Sequence, residues 1–578
     1  MSPTLDFRNP NSLWCSVLVE TLARLGVQHA VVSPGSRSTP LTFAFAAQPR
    51  IGTIPVLDER SAAFFALGLA KRSGRPVALV CTSGTAAANY LPAVVEAHES
   101  GVPLLVLTAD RPPEMRECGS GQTIDQQKIF GGFVGFHHEC AVPEPRLELL
   151  RYLRQTVAHA VGRTLQPQAG PVHLNCPFRD PLPPVDDGGG TAALKVACDW
   201  SAFFAHLAPP AAFIAPAVLP ELNPRWRGLI VAGPEAADVP ARCAASIGMI
   251  ARKLGWPVLA DGVSPVRNHA ALTANLVTAY DAILRRKNPD PLRPEVVVCF
   301  GGWPTSKVLR SWLEQADPEI LLVTSRPMAN RDGLHGRSRQ VVADLPTWAG
   351  ELPWAKGRNA FTTRWLKAEK AARTALDRGL KATKELFEPK AAWLLAQHLP
   401  VDTPVFVASS MPVRDVEYFW PANNRQAHFH FNRGANGIDG TLSTALGVAH
   451  GGAPAVLLTG DLALLHDTNG FLLRPKFCGS LTVVLINNRG GGIFEHLPVA
   501  KFDPPFENFV ATPQEVDFGR LCSAYGVEHV AVRDWAHFTE LVSVLPARGI
   551  RVLELRTDRR RDAAKRKKLL GAAGAAAG

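Results

Sequence analysis

The sequence predicts an α/β protein made of three doubly wound parallel-sheet domains, on three grounds. Short β-branched runs alternate with longer Ala- and Leu-rich amphipathic stretches, the pattern of βαβ units. The alternation falls into three blocks, set apart by a Pro- and Gly-rich stretch at 181–190 and a charged helical stretch at 363–384. At 578 residues the chain exceeds what one hydrophobic core can organise. Three layers of ~170–190 residues match the usual domain size.

In the first block, β-branched runs place strands at 29–33, 77–82, 104–108 and 172–175. Helices are expected over 61–73 and 86–100, and 181–190 reads as a linker. The second block opens with a strand at 228–232 and continues at 258–260, 296–300 and 320–323. It has no GxGxxG turn; Gly233-Pro234 follows its first strand instead, so it resembles a nucleotide-binding layer without a cofactor. The third block places strands at 405–408, 455–459, 482–486 and 552–555. The expected domains are 1–190, 191–380 and 381–560, followed by a basic, Ala- and Gly-rich tail at 561–578.

Composition excludes several classes. Apolar residues make up 46% and charged residues 20%, as in ordinary folded domains. Apolar stretches are broken well short of the ~20 residues a membrane span needs, so no stable membrane insertion is expected. The first residues carry no apolar signal region, which implies a cytoplasmic protein. Ten scattered cysteines without a CxxC pair read as small buried hydrophobes. The net charge of +11 is concentrated at the end, where residues 556–568 hold eight basic residues against Asp558 and Asp562. That end reads as a solvated, frayed tail, with a contact to an anionic membrane surface as its one conceivable role. No nucleic-acid-binding pattern accompanies it, so no nucleic acid partner is expected.

The strongest local chemistry lies in the third block. The strand at 455–459 runs into Gly460-Asp461-Leu462, and the strand at 482–486 runs into Asn488-Arg-Gly-Gly-Gly492. Adjacent parallel strands would bring Asp461 and Asn488 to the same carboxyl edge, where ligands bind in open α/β sheets. A carboxylate, an amide oxygen and the main-chain carbonyl of Gly490 form a hard-oxygen set suited to Mg²⁺. Taken alone, the same residues also suit plain strand-to-loop turns. In the first block, Asp58-Glu59-Arg60 ends a short strand and opens an apolar helix, where an acidic residue suits the helix dipole.

Paired in this way, the motifs resemble the thiamine-diphosphate enzymes. Ser33-Pro-Gly-Ser-Arg-Ser-Thr-Pro40, Asp58-Glu-Arg-Ser-Ala62, Thr82-Ser-Gly-Thr-Ala86, Thr108-Ala-Asp-Arg-Pro112 and Gln122-Thr-Ile124 occur in order. They are followed by Gly170-Pro-Val-His-Leu-Asn175, Ser306-Lys307, Asn432-Arg-Gly-Ala-Asn-Gly-Ile-Asp-Gly440 and Ile493-Phe494. On these motifs the chain is similar to the 2-succinyl-5-enolpyruvyl-6-hydroxy-3-cyclohexene-1-carboxylate synthase family (the MenD family) over nearly its whole length. One departure from the wider superfamily is Gly-Asp-Leu in place of Gly-Asp-Gly, which costs no ligand.

The resemblance implies a pyrimidine-binding domain, a central domain without cofactor and a pyrophosphate-binding domain. It implies thiamine diphosphate with Mg²⁺ or Mn²⁺, decarboxylation of 2-oxoglutarate, and 1,4-addition of the resulting carbanion to isochorismate in menaquinone biosynthesis. Glu59 would face the aminopyrimidine and, with Gln122 and Arg37, carry the catalytic roles. Asp461, Asn488 and the Gly490 carbonyl would hold the metal, while Ser409, Ser410, Leu462 and Ala463 meet the pyrophosphate. Ile438 and Ile493, with Phe494 and Leu497, would form the apolar wall around the cofactor. Ser36, Arg37, Arg111, Gln122, Lys307, Ser410, Arg414, Arg433, Phe494 and Leu497 would line the substrate side, which suits two dicarboxylates because guanidinium forks grip carboxylates. His98, His137, His138 and His173 match no catalytic position. A homodimer or homotetramer with active sites at the subunit interface is implied. The alternatives are another thiamine-dependent decarboxylase or carboligase, for example one using pyruvate, and a non-catalytic binding module of the same fold.

Overall fold

A computed structural model describes residues 3–188, 190–210, 221–235, 239–324, 329–343, 345–355 and 357–578. It contains three six-stranded sheets in which every strand pair is parallel. The first sheet comprises β1 (His29–Val32), β2 (Gly52–Pro55), β3 (Val77–Cys81), β4 (Leu104–Asp110), β5 (Phe136–Glu139) and β6 (Pro171–Pro177), ordered β2-β1-β3-β4-β6-β5. The second comprises β7 (Gly228–Ala232), β8 (Val258–Ala260), β9 (Leu276–Val277), β10 (Val296–Phe300), β11 (Glu319–Thr324) and β12 (Arg337–Val342), ordered β12-β11-β10-β7-β8-β9. The third comprises β13 (Pro404–Val407), β14 (His428–His430), β15 (Ala455–Gly460), β16 (Ser480–Asn487), β17 (Glu528–Ala531) and β18 (Gly549–Arg556), ordered β14-β13-β15-β16-β18-β17.

The inner strands lie where the sequence predicts them, because burial on both faces demands near-continuous apolar runs. β3, β4, β6, β7 and β10 are buried at every residue. The edge strands are short and half-exposed, and apart from the short strand before Asp58 they give no apolar run to detect. The expected helix at 86–100 is split into Thr85–Ala88 and Leu91–Ser100, since Pro92 has no amide hydrogen to continue the first turn. The charged stretch after the second sheet forms the helix Ala360–Ala382, capped by Asn359. The 181–190 stretch is not a free linker: Asn11 Nδ2 donates to the carbonyl of Pro181 at 2.9 Å, and Asn9 Nδ2 donates to those of Pro183 and Val185 at 3.0 and 2.9 Å.

The chain end corrects the sequence reading. Residues 559–576 form one helix, Arg559–Ala576, capped by Asp558. Arg559 and Arg566 are buried, the latter in paired contacts with Asp415 at 2.7 and 2.9 Å and Glu388 at 2.8 Å. Gly574 lies against the helix Tyr280–Leu284, where an added Cβ would stand 2.7 Å from the Ala282 carbonyl oxygen. A frayed end fails because these guanidiniums have buried carboxylates to meet, and the paired charges offset their desolvation. They are therefore unavailable to a membrane surface. Among the described residues no helix is long and apolar enough to cross a membrane, and all ten cysteines are free.

The chain divides into two compact units. One comprises Met1–Phe213, Asn432–His450 and Asp467–Phe477, and the other Ile214–Phe431, Gly451–His466 and Cys478–Gly578. In the first, the helix Glu59–Ser73 packs on the helix Thr441–Ala449, and their closest approach is at Gly68 and Gly447. A Cβ on Gly68 would stand 2.1 Å from the Thr444 carbonyl oxygen, and one on Gly447 would stand 2.1 Å from that of Phe65. Both obstacles are backbone, so neither can rotate away. Gly68→Ala and Gly447→Ala should each lower stability by ~1–3 kcal/mol, read from urea midpoints, as overpacking of a tight core does. Unchanged midpoints would mean the crossing is looser than described.

Candidate active site

In the first unit the strand order reverses between β1 and β3, and open α/β sheets bind ligands at such a switch point. The loops after these strands meet closely, since a Cβ on Gly35 would be 2.2 Å from Thr82 Cβ. Ser36 is exposed and Arg37 buried. Arg37 Nη1 donates to the Phe178 carbonyl at 2.9 Å, and its Nε is buried without a partner. Arg111, just past β4, donates from Nη1 to Ser83 Oγ at 2.6 Å and from Nη2 to the Gly121 carbonyl at 3.0 Å. Gln122 adopts a left-handed backbone (φ 54°), donates from Nε2 to the Ser83 carbonyl at 2.9 Å, and accepts Ser83 Oγ–H at its own carbonyl at 3.0 Å. Burial, followed by the charge of Arg111, holds the Arg37 guanidinium below its ordinary pKa. The Asp180 carboxylate, 3.8 Å from Arg37 Nη1, acts the other way, and two guanidiniums in neighbouring loops of one sheet suit an anionic ligand.

Glu59 begins its helix beside that sheet's strands. Asp58 caps the helix, accepting the Ser61 amide at 3.0 Å and Asn469 Nδ2 at 2.6 Å. Burial, and more weakly the Glu59 carboxylate, push the Cys81 thiol and the Tyr90 phenol well above their usual range. Glu59 itself is half-buried at the first position of the helix, near the buried Cys81 and Tyr90. The loop with Arg433 and Ile438, both half-buried, belongs to the same unit. Glu96 holds it by accepting the amides of Gly434 and Ala435 at 3.1 and 2.7 Å.

In the second unit the third sheet reverses in the same way, between β13 and β15. Ser409 is buried, and Ser410 takes a left-handed φ of 71° where the helix Met411–Phe419 begins. β15 and β16 pair from Ala455–Leu481 to Gly460–Ile486, so Asp461 and Asn488 leave one edge together. Asp461 accepts the Leu462 amide at Oδ1 (2.7 Å) and the Gly490 amide at Oδ2 (2.9 Å). The Leu462 amide is thus already engaged, and Ala463 is buried behind it. Asn488 donates from Nδ2 to Glu388 Oε1 at 2.7 Å, which leaves its buried Oδ1 without a partner. Burial lifts the Asp461 carboxyl to about 6.

These features fit a divalent cation: a desolvated carboxylate and an orphaned amide oxygen each lack a positive partner. Among the described residues no cluster of three His, Cys, Asp or Glu side chains is arranged for a metal, whereas this set draws on amide and carbonyl oxygens. Gly490 has φ +126°, and a Cβ there would be 2.5 Å from the Ala511 carbonyl oxygen, so the loop requires glycine.

Ile493 and Phe494 are half-buried on the turn Gly492–His496, followed by the exposed Leu497. Arg414 Nη1 donates to the Ser410 carbonyl at 2.6 Å, and burial lowers its pKa. Lys307 is exposed at the start of the helix Lys307–Ala316. The expected residues thus fall into two candidate half-sites, with Ser36, Arg37, Glu59, Arg111, Gln122, Arg433 and Ile438 in the first unit and the rest in the second. Sequence reasoning missed Ser83, which joins Arg111 to Gln122 from inside a recognised motif. It also missed Glu388, which orients Asn488 from far upstream with no local signal.

Three family models match the chain. Residues 15–129 match the N-terminal TPP binding domain of thiamine pyrophosphate enzymes, 220–407 the middle domain, and 412–553 the C-terminal TPP binding domain. Fold and sequence together define a thiamine pyrophosphate enzyme. In fold it is similar to the thiamine diphosphate-dependent 4-hydroxybenzoylformate decarboxylase of Rhodococcus jostii RHA1, with a TM-score of 0.69 at 16% identity, covering 94% of this chain and 99% of that one. The 2-succinyl-5-enolpyruvyl-6-hydroxy-3-cyclohexene-1-carboxylate synthase of Trichormus variabilis is 51% identical over 97% of both chains. The synthase of the same name from Nostoc sp. is 50% identical over 97% of both. The chain belongs to this synthase family.

Asp461→Ala should weaken thiamine diphosphate binding at fixed Mg²⁺ by roughly 10–100-fold in calorimetric titration, the scale of losing a charged ligand contact. It should also abolish the difference in affinity made by adding EDTA. An unchanged, EDTA-sensitive affinity would remove Asp461 from the ligand set.

Proposed function

We propose that the protein is a thiamine-diphosphate- and Mg²⁺- or Mn²⁺-dependent synthase that decarboxylates 2-oxoglutarate and adds the succinyl-semialdehyde unit 1,4 to isochorismate. The product would be 2-succinyl-5-enolpyruvyl-6-hydroxy-3-cyclohexene-1-carboxylate, with release of CO₂, within cytoplasmic menaquinone biosynthesis. Family membership supports the reaction class, and the observation that carries the substrate reading is the placement of Arg37 and Arg111 in the loops past β1 and β4 of one sheet. Two guanidinium forks in these loops suit a dicarboxylate such as 2-oxoglutarate.

In this reading residues 1–190 bind the pyrimidine, 191–380 form the central domain and 381–560 bind the pyrophosphate. Asp461, Asn488 and the Gly490 carbonyl would hold the metal, whose charge neutralises the diphosphate. When bound, thiamine diphosphate supplies the electron sink for loss of CO₂. The chain's own work is positioning and proton handling. Glu59 would face the aminopyrimidine and hydrogen-bond it from the start of its helix. Ser36, Arg37, Arg111 and Gln122 orient carboxylates from one side, and Lys307, Ser410, Arg414 and Arg433 supply further donors. Ile438, Ile493, Phe494 and Leu497 exclude water around the reacting centre. Family membership supports a homodimer or homotetramer with active sites at the subunit interface as the active enzyme.

Purified protein with thiamine diphosphate and Mg²⁺ should release CO₂ from 2-oxoglutarate rapidly only when isochorismate is present. Equal turnover with pyruvate, or without the acceptor, would overturn the substrate assignment. Glu59→Gln should bind the cofactor within a few-fold of wild type yet lose ~10²–10⁴-fold in turnover, as removal of an acid–base group does. Wild-type turnover from that variant would exclude Glu59 from proton transfer.

A further inference from the structure

The C-terminal helix Arg559–Ala576 reaches the candidate metal loop at two points, and neither contact is surface decoration. Arg566 is buried in the second unit with its fork on Asp415, Nε to Oδ1 at 2.7 Å and Nη2 to Oδ2 at 2.9 Å. The same Nη2 donates to Glu388 Oε2 at 2.8 Å. Glu388 uses its other oxygen, Oε1, to accept Asn488 Nδ2 at 2.7 Å. The Glu388 amide in turn donates to Asp562 Oδ2 at 3.1 Å, which ties this residue to the C-terminal helix a second time. One turn earlier on that helix, Arg559 Nη1 donates to the Arg489 carbonyl at 2.9 Å, and its Nε donates to Glu495 Oε1 at 2.9 Å. Arg566 Nη1 also lies 3.1 Å from His496 Nε2. Both ends of the 489–496 loop are therefore gripped by guanidiniums from the last helix.

The consequence falls on one atom. An amide side chain can turn either its oxygen or its nitrogen toward a ligand, and only the oxygen can coordinate a cation. Glu388 accepts only, so it selects the Asn488 rotamer that leaves Oδ1 outward and unpartnered. Arg566 fixes the Glu388 carboxylate by donating from Nη2 to Oε2 at 2.8 Å, so that Oε1 stays aimed at the Asn488 amide nitrogen.

We propose that Arg566 and Glu388 are positioning residues for the metal site, holding the Asn488 amide oxygen ready for a divalent cation from the C-terminal helix. The inference rests on the metal-site reading given above. Partners one shell behind a ligand are typically worth ~10–100-fold in metal affinity.

The test is Mn²⁺ titration of the full-length protein with thiamine diphosphate present, followed by the electron paramagnetic resonance signal of free Mn²⁺. Arg566→Lys keeps the charge but cannot fork to Asp415 and Glu388 together, and Glu388→Gln offers a second variant if the first fails to fold. Each should weaken Mn²⁺ binding by ~10-fold or more in folded protein, as judged by circular dichroism and a cooperative melt. In an Asn488→Ala background, neither change should weaken binding further. If folded Arg566→Lys and Glu388→Gln bind Mn²⁺ as wild type does, or if their effects add fully to Asn488→Ala, the positioning role is overturned. A wild-type protein that binds no Mn²⁺ would instead overturn the metal site itself, and the two failures are thereby distinguished.

Discussion

The pairing of β15 with β16 is the constraint on which the second half-site depends. Six consecutive parallel partners, from Ala455–Leu481 to Gly460–Ile486, leave no freedom to slip without turning every buried side chain to the wrong face. With that register set, Asp461 and Asn488 must emerge together at the carboxyl edge. The Gly490 amide can then reach Asp461 Oδ2, which folds the glycine run back over the strand end. What emerges is an electrostatic debt: a carboxyl lifted to about 6 by burial and an amide oxygen with no donor. Evolution has little reason to keep such a pair in a protein interior unless a cation discharges it.

The first half-site follows the same topological logic with the opposite sign. The reversal between β1 and β3 opens the crevice, and tight glycine approaches at Gly35 bring the two loops together. Arg37 and Arg111 are fixed mainly by carbonyl and hydroxyl acceptors, at Phe178, Gly121 and Ser83, and Arg37 Nη1 also lies 3.8 Å from the exposed Asp180 carboxylate. Asp110, the nearest buried acid, is occupied by Asn175 and Arg116. The guanidiniums thus remain available to an incoming anion while the scaffold holds their geometry. A cation-seeking sheet edge and an anion-seeking sheet edge, built on two copies of one strand order, suit a diphosphate cofactor and carboxylate substrates.

Much of this was legible in the sequence, and the boundary of legibility is physical. Inner strands such as β4 and β10 are buried on both faces and had to be written as apolar runs. Edge strands such as β12 and β17 face solvent and carry Arg, Glu and His, so nothing in their composition separates them from loops. Arg111, Asp461 and Asn488 could be found because each directly follows a strand, whereas Gln122, Ile438 and Leu497 lie far from any strand end and were reached only through the family resemblance. Glu388 and Arg566 could not, since their roles arise only when distant segments meet. The basic end misled for the same reason: a run of Arg and Lys looks solvated until Asp415 and Glu388 are brought beneath it.

The proposed assembly with active sites at the subunit interface ties these features into an enzyme, and subunit complementation tests it most directly. Glu59→Gln and Asp461→Ala variants, each inactive alone, would be co-expressed with different tags and assayed after mixed assemblies are isolated. If each site draws Glu59 from one copy and Asp461 from another, half of the sites in an isolated mixed dimer are intact, and activity should return to about half that of wild type. Mixed assemblies as inactive as their parents would contradict the account and place both half-sites of an active centre within a single chain.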